Sequence, residues 1–180
     1  MRIAVILGST RPGRRSEAVA QWVVNVANAR TDASFELIDL ADVGLPLLDE
    51  PVPAIFGEYA HAHTRAWASR IAQYDGFVFV TPEYNHSFSA ALKNALDYLY
   101  AEWNDKAAGF VGLGGNGGLR AVEQLRLVLA ELKVATVRTQ VALGRGELQE
   151  GLQQDEQLNA MLDELVAWAS ALRSVRAVAA

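Results

Sequence analysis

Short apolar runs alternate along this chain with segments whose apolar residues recur at helical spacing. The first apolar segment, Ile3-Ala4-Val5-Ile6-Leu7, is typical of a strand that is covered on both faces of a sheet. The next segment places Val19, Trp22, Val23 and Val26 on one face of a helix. The predicted strands are residues 3–7, 35–40, 76–81, 107–113 and 134–143, and the predicted helices are residues 16–28, 64–73, 89–100, 119–132 and 156–172. Strands that alternate with helices predict a parallel sheet, because parallel strands need crossover connections.

The handedness of the crossovers and the length of the chain narrow the architecture further. Crossovers are right-handed, and the commonest order for five such units is the flavodoxin-like 2-1-3-4-5. A chain of 180 residues is the usual length for one core. We therefore predict an α/β fold: a flavodoxin-like three-layer sandwich in which helices cover both faces of a five-stranded parallel sheet, as one domain over residues 1–180. Ligands of such sheets bind beyond the carboxyl ends of the strands, so we expect the site in the loops after strands one, three and four.

Composition excludes several classes of function. The chain has no cysteine, which removes thiolate metal sites, redox dithiols and cysteine nucleophiles. Its net charge of -5 argues against nucleic acid or an anionic membrane as a partner. The apolar run before Gly8 is too short for a signal peptide, so we expect a cytoplasmic protein. His61 and His63 form a pair without an apparent third ligand; we expect surface histidines and no metal site.

The loop after the first predicted strand concentrates groups that bind anions. Residues 8–16 read GSTRPGRRS, with three arginines, two serines and a threonine between a strand and a helix. The free amides and the dipole at a helix N-terminus favour an anion, and hydroxyl and guanidinium groups add donors. We interpret this loop as a phosphate site. The alternative is that Ser16 only caps the helix and that the arginines are solvated.

Two familiar nucleotide-binding patterns are disfavoured. The spacing of Gly8 and Gly13 matches a nucleoside-triphosphate loop, but Arg14 and Arg15 stand where the lysine and the magnesium-binding hydroxyl belong. Residues 112–117 match G-x-G-x-x-G, but they lie in the fourth strand–helix unit and no acidic residue ends the next strand. Neither triphosphate hydrolysis nor a Rossmann dinucleotide site is expected.

The second loop carries the most specific pattern. Residues 81–89 read TPEYNHSFS, and LKNALD follows at residues 92–97. These residues resemble the P-E-Y-N-x-S and L-K-N-A-[IL]-D elements of the NADPH-dependent FMN reductases, a family that includes quinone, chromate and azo-dye reductases. Residues 8–11 are similar to that family's G-S-x-R phosphate loop, and residues 114–121 are similar to its G-G-x-G-G-x-R-A segment. The resemblance covers residues 3 to about 140.

This resemblance implies a function. It implies one flavodoxin-like FMN-binding domain, with FMN as cofactor and NADPH or NADH as electron donor. The implied reaction is ping-pong hydride transfer from nicotinamide to flavin and on to a small-molecule acceptor such as free flavin or a quinone. The protein then supplies orientation and electrostatics, so we predict no catalytic side chain. Two alternatives remain open: a flavodoxin-like electron carrier without its own NAD(P)H activity, and a binding module without flavin.

The predicted cofactor-binding residues come from all three loops. A flavin ring is flat, with apolar faces and one polar edge, so Asn85 and the main chain of residues 83–87 could supply donors to that edge. Tyr84 and His86 stack on the ring or flank it, or else they only pack the loop. Glycines of the third loop leave room for close backbone approach. The complete set is Ser9, Arg11, Arg15, Ser16, Pro82, Glu83, Tyr84, Asn85, His86, Ser87, Gly114, Gly115 and Gly117.

The end of the fourth predicted helix bears on assembly. Tyr98, Leu99, Tyr100 and Trp103 make this segment rich in aromatic residues for a surface element. The resemblance implies dimers or dimers of dimers with flavins at the subunit boundary. We therefore predict a homodimer or a homotetramer.

Overall fold

Five parallel strands form one sheet in the computed structural model of this chain, which describes residues 1–179. The strands are β1 (Arg2–Leu7), β2 (Ser34–Asp39), β3 (Gly76–Pro82), β4 (Ala107–Leu113) and β5 (Ala135–Leu143). Their order is β2-β1-β3-β4-β5, as predicted. Val5 in β1 lies opposite Leu37 of β2 and Val78 of β3, so the first strand runs through the interior of the sheet.

Seven α-helices connect or follow the strands within the described residues. They are α1 (Ser16–Ala27), α2 (Leu40–Val43), α3 (Ala62–Ala72), α4 (Ala90–Asp97), α5 (Leu119–Glu131), α6 (Glu147–Glu150) and α7 (Asp155–Ala179). The sequence analysis missed α2, α6 and a 3-10 turn at Ala54–Phe56, because elements this short show no periodicity. It also ended α7 at residue 172. The last turns are tethered by Arg176, which donates to Asp75 at 2.6 Å and to the carbonyl of Asp105 at 2.7 Å.

The two faces of the sheet are covered by different helices, because strand side chains alternate between faces. Ile6 and Phe79 belong to a core shared with Trp67 of α3, Leu96 of α4 and Leu125 of α5. On the opposite face, Val5 and Val78 pack in a second core. Its helical members include Val19 and Val23 of α1 and Leu158, Leu162 and Leu165 of α7. This confirms the predicted three layers. No helix in the described part of the chain combines the length and the apolar character that a bilayer crossing requires.

The aromatic segment at residues 98–103, after α4, does not lie on the surface. The prediction that it forms a surface for a subunit contact is therefore wrong. Tyr98, Leu99 and Trp103 are buried within the chain. The helix ends at Asp97, and the turns that follow bring Trp103 against Phe77, with ring centroids 4.9 Å apart. The indole nitrogen of Trp103 donates to the carbonyl of Leu96 at 3.2 Å, which satisfies its polar group inside the core.

Candidate functional site

The loops after β1, β3 and β4 meet at the carboxyl edge of the sheet around a cleft of about 180 Å³. Its lining residues are Arg11, Arg14, Arg15, Ser16, Pro82, Glu83, Tyr84, Leu113, Gly114 and Leu148. Seven residues of the predicted set are among them. The other six lie outside this lining: Ser9 on the first loop, Asn85, His86 and Ser87 on the second, and Gly115 and Gly117 on the third. Three lining residues were not predicted: Arg14, Leu113 and Leu148, the last of which belongs to the unpredicted helix α6.

The first loop presents buried donors that have no partner. Ser16 is 1 % exposed, and its Oγ has no hydrogen-bond partner in the part of the chain that the structure describes. The buried Nε of Arg14 also lacks a hydrogen-bond partner there. The N-cap position of helix α1 is occupied by Arg15, whose side chain makes no capping hydrogen bond, and Ser16 is the first residue inside the helix. The alternative in which Ser16 only caps the helix is therefore wrong. Buried polar groups are rarely left unpaired, and these two line the same cleft at a helix N-terminus. The cleft therefore suits an anion that accepts hydrogen bonds.

A hydroxyl pair joins the first loop to the second. Ser9 is fully buried, and its Oγ lies 2.8 Å from the hydroxyl oxygen of Tyr84. The amide of Arg11 also donates to the Ser9 Oγ, at 3.3 Å. Because Tyr84 lines the cleft as well, its ring is held beside the anion-binding loop.

The second loop is a tight turn with unusual backbone angles. Tyr84 and Ser87 exchange two backbone hydrogen bonds, of 2.8 and 3.0 Å. Asn85 and His86 between them have φ values of 50° and 68°. A type I′ turn needs positive φ at both central residues, a conformation that costs free energy in residues other than glycine. The exposed tip therefore presents the side chains of Asn85 and His86 and their backbone amides at the edge of the site.

Helix α5 holds this turn in place. Arg120 donates from Nε to Glu83 at 2.7 Å and from its amide at 3.1 Å. One turn further along the helix, Gln124 donates to the carbonyl of His86 at 2.7 Å and accepts from the Ser87 hydroxyl at 2.6 Å. The side chains of Glu83 and Ser87 are thus directed to α5. Their main-chain amides are also paired within the protein, with the carbonyls of Leu113 and Tyr84, so neither amide is free for a ligand, contrary to the prediction.

The Glu83 carboxylate is charged when paired in this way. Burial acts to raise the pKa of Glu83, but the hydrogen bonds and charge of Arg120 outweigh it, so the pKa lies below its ordinary value. The sequence analysis assigned no role to Arg120 and missed Gln124. Their spacing of four residues on one helix face was the available signal.

The glycines of the third loop differ in how much space a side chain would find at each position. A Cβ on Gly118 would lie 2.6 Å from the backbone nitrogen of Leu113, and one on Gly117 would lie 2.7 Å from the Cβ of Ala142. Both residues also have positive φ, so the fold of the loop itself requires them. Around a Cβ on Gly115 there is no heavy atom within 4 Å. Of the predicted glycines, Gly115 is the one that leaves open space.

His61 and His63 lie away from the cleft and are half-buried. Their rings stack with centroids 5.2 Å apart, and Nε2 of His63 lies 3.0 Å from Asp49 Oδ1. They therefore attach the loop between β2 and α3 to the body of the protein, whereas the sequence analysis expected plain surface histidines. Among the side chains that the structure describes, no three of His, Cys, Asp or Glu are arranged to hold a metal ion.

Comparisons with known proteins agree with this geometry. A family model described as NADPH-dependent FMN reductase matches residues 1–148. The chain is 45 % identical over 144 residues to an NAD(P)H-dependent FMN reductase of Schizosaccharomyces pombe, covering 79 % of this chain and 72 % of that protein. It is 35 % identical over 141 residues to a 2-hydroxy-1,4-benzoquinone reductase of a Burkholderia species, covering 74 % and 73 %. Among solved structures, the flavoenzyme NAD(P)H:(acceptor) oxidoreductase FerB of Paracoccus denitrificans superposes with a TM-score of 0.75 at 22 % identity, covering 94 % of this chain and 97 % of that one.

The fold is thus flavodoxin-like, and the family model and the relatives define the class of protein as an oxidoreductase. The chain belongs to the NADPH-dependent FMN reductase family. This confirms the predicted family, the prediction that the protein is an enzyme, and the predicted cofactors, FMN with a nicotinamide as electron donor.

Proposed function

We propose that this chain is a single FMN-binding domain that transfers a hydride from NADPH or NADH to flavin and then to a small oxidised acceptor, in ping-pong order. The observation that carries the proposal is the pair of buried, unpartnered donors on the first loop, Ser16 Oγ and Arg14 Nε. A terminal phosphate would satisfy both donors at the N-terminus of α1. When bound, FMN supplies the redox chemistry, and the protein supplies position and electrostatics.

The first loop would hold the phosphate. Ser16 donates from a buried hydroxyl, and Ser9 contributes a hydroxyl on the same loop. Arg11 and Arg15 add positive charge from exposed positions at the mouth of the cleft. These groups are joined by the first amides of α1, which have no acceptor inside the helix.

The second and third loops would hold the ring. Pro82 and Tyr84 supply apolar surface in the cleft, while the tip at Asn85 and His86 supplies polar groups for the ring edge. Glu83 and Ser87 position this tip through their side-chain hydrogen bonds to α5. On the other side, Gly114 lines the cleft, and Gly115 leaves open space for the backbone to approach the ring. Gly117 shapes the loop that carries both residues. We assign no catalytic side chain, because hydride transfer needs orientation and not a nucleophile from the protein.

The acceptor is proposed to be a quinone, free flavin or another small oxidised molecule. A relative that is 35 % identical carries the name 2-hydroxy-1,4-benzoquinone reductase, which supports a quinone among the acceptors. A cytoplasmic location accords with a nicotinamide donor and with a chain that has no cysteine.

Anaerobic spectroscopy tests the proposal against the alternative of an electron carrier. FMN-loaded protein mixed with NADPH or NADH should lose its flavin absorbance, and added benzoquinone should restore it. Free FMN at the same concentration is the control for reaction without protein. Absorbance that persists with both nicotinamides would identify a carrier, and intersecting instead of parallel double-reciprocal plots would contradict the ping-pong order.

We also propose that the protein assembles as a homodimer or homotetramer. Leu47, Ile55 and Phe56, in the connection between β2 and α3, expose 84 %, 60 % and 66 % of their surface, and burial of these apolar side chains would favour a subunit contact. Light scattering at micromolar concentration should give at least twice the mass of one chain. A mass of one chain at that concentration would contradict this proposal.

The amide of Asn85 should contribute to flavin binding. Because Asn85 has a positive φ, we expect Asn85→Gly to remove the amide without straining the turn. A lost hydrogen bond to a buried ring edge costs about 1–3 kcal/mol, so the FMN dissociation constant should rise about 5- to 150-fold. Titration of flavin fluorescence measures this, with thermal unfolding as the control for stability. Unchanged FMN affinity would show that this side chain does not contact the flavin.

A further inference from the structure

The three arginines of the first loop differ in their surroundings. Arg11 and Arg15 are exposed, whereas the side chain of Arg14 is 12 % exposed. Sequence reasoning selected Arg11 and Arg15 for the phosphate, since local sequence cannot distinguish neighbouring arginines. The structure places Arg14 in the lining of the cleft together with both of them.

Arg14 is held by an acidic residue from the neighbouring strand. Its Nη2 donates to Oδ2 of Asp39, the last residue of β2, and the two groups form an ion pair. Asp39 is itself fixed, because its Oδ1 accepts from the amide of Ala41 at 2.9 Å and caps α2. The guanidinium is therefore oriented before any ligand enters.

The remaining side of this guanidinium has an unsatisfied donor. Arg14 Nε is buried without a hydrogen-bond partner among the described residues, and Oε2 of Glu17 lies 4.0 Å from it, beyond hydrogen-bond distance. Ser16, two residues further on, has a buried hydroxyl in the same condition. An acceptor bound at the N-terminus of α1 would satisfy both donors.

Resting on the proposed function, we propose that Arg14, oriented by Asp39, is the main arginine by which this protein recognises the phosphate of FMN. A charge-assisted hydrogen bond from a buried, preoriented group is stronger than one from a solvated side chain. Charges on exposed side chains such as Arg11 and Arg15 are screened by water and salt. Arg14 therefore sets the preference for a phosphorylated flavin, and the other two arginines add to it.

Fluorescence titrations with FMN and with riboflavin test this assignment. Arg14→Gln should weaken FMN binding about 10- to 100-fold, the size of one charge-assisted hydrogen bond, and leave riboflavin binding within about threefold. Arg11→Gln and Arg15→Gln are matched controls, and each should weaken FMN binding by less than about fivefold. Asp39→Asn keeps Arg14 but removes the charge that orients it. This variant should lower the ratio of FMN to riboflavin affinity by less than Arg14→Gln does and by more than the two controls do.

The outcomes separate this inference from the proposed function. An unchanged ratio of FMN to riboflavin affinity in Arg14→Gln, or a larger loss in either control, overturns the assignment while the flavin site stands. If Arg14→Gln does not fold, as judged by circular dichroism, Asp39→Asn decides: a lowered ratio supports the assignment and an unchanged ratio overturns it. A wild-type protein that binds both flavins equally overturns the phosphate site and the assignment together.

Discussion

The wild-type protein should bind FMN more tightly than riboflavin, by a factor on the order of a hundred or more. Riboflavin lacks the phosphate that the first loop is proposed to hold. Charge-assisted hydrogen bonds contribute about 1.5–3 kcal/mol each, and every 1.4 kcal/mol is about tenfold in affinity. The buried donors of Arg14 and Ser16 account for two such bonds. FAD should also bind less tightly than FMN, because Arg14 and Arg15 line the cleft and take up space that its adenosine would need.

Fluorescence-quenching titrations of the apoprotein with FMN, riboflavin and FAD measure this preference. Raising the salt concentration is an internal control, since it should weaken FMN binding more than riboflavin binding. Similar dissociation constants for FMN and riboflavin would mean that the first loop does not recognise a phosphate.

The second prediction concerns the pH dependence of the free energy of unfolding, and it depends on a buried lysine remote from the cleft. Lys106 precedes β4, at the opposite end of that strand from the site, and is 4 % exposed. Its Nζ donates to the carbonyl of Ile71 at 2.9 Å, near the end of α3, and lies 5.5 Å from the ring centre of Phe77. Burial, together with the positive charge of Arg176, lowers the pKa of Lys106 to about 8.

The free energy of unfolding should therefore rise between about pH 8 and pH 10. In this range the unfolded chain still holds the proton on Lys106 that the folded chain has released, so stability increases with pH. The difference between a pKa of about 8 and the ordinary 10.5 corresponds to about 3 kcal/mol. Below pH 8 both states hold the proton, and the cost of burying the charge is present in full. Above pH 10 the raised pKa of Tyr98, about 12, acts in the opposite direction.

Urea unfolding at pH 7 and at about pH 9.5 measures this rise. Lys106→Met should abolish it, because no buried amine remains to titrate. Lys133→Met, at an exposed lysine, is the matched control and should leave the rise unchanged. A wild-type protein with equal stability at the two pH values would show that Lys106 keeps an ordinary pKa.

The architecture and the general location of the site could be predicted because each depends on local sequence. Three apolar runs, those of β1, β3 and β4, are buried on both faces of the sheet, and helical periodicity marks the covering layers. Given strands and helices in alternation, few right-handed arrangements exist, and all of them bring the loops after β1, β3 and β4 to one edge. The second loop added a pattern specific enough to indicate the family.

The tertiary structure alone decided which side chains of those loops face the cleft. Arg14 pairs with Asp39, 25 residues away, and Glu83 pairs with Arg120, 37 residues away. Local periodicity carries no information about such pairs, so the sequence favoured Arg11 and Arg15 and left Arg14 and Gln124 without a role. Local periodicity also failed to show the burial of Trp103. The sequence predicted this residue on the surface, whereas the fold buries it against Phe77. Residue types and spacing determine which elements form, whereas burial and pairing depend on segments that meet only when the chain is folded.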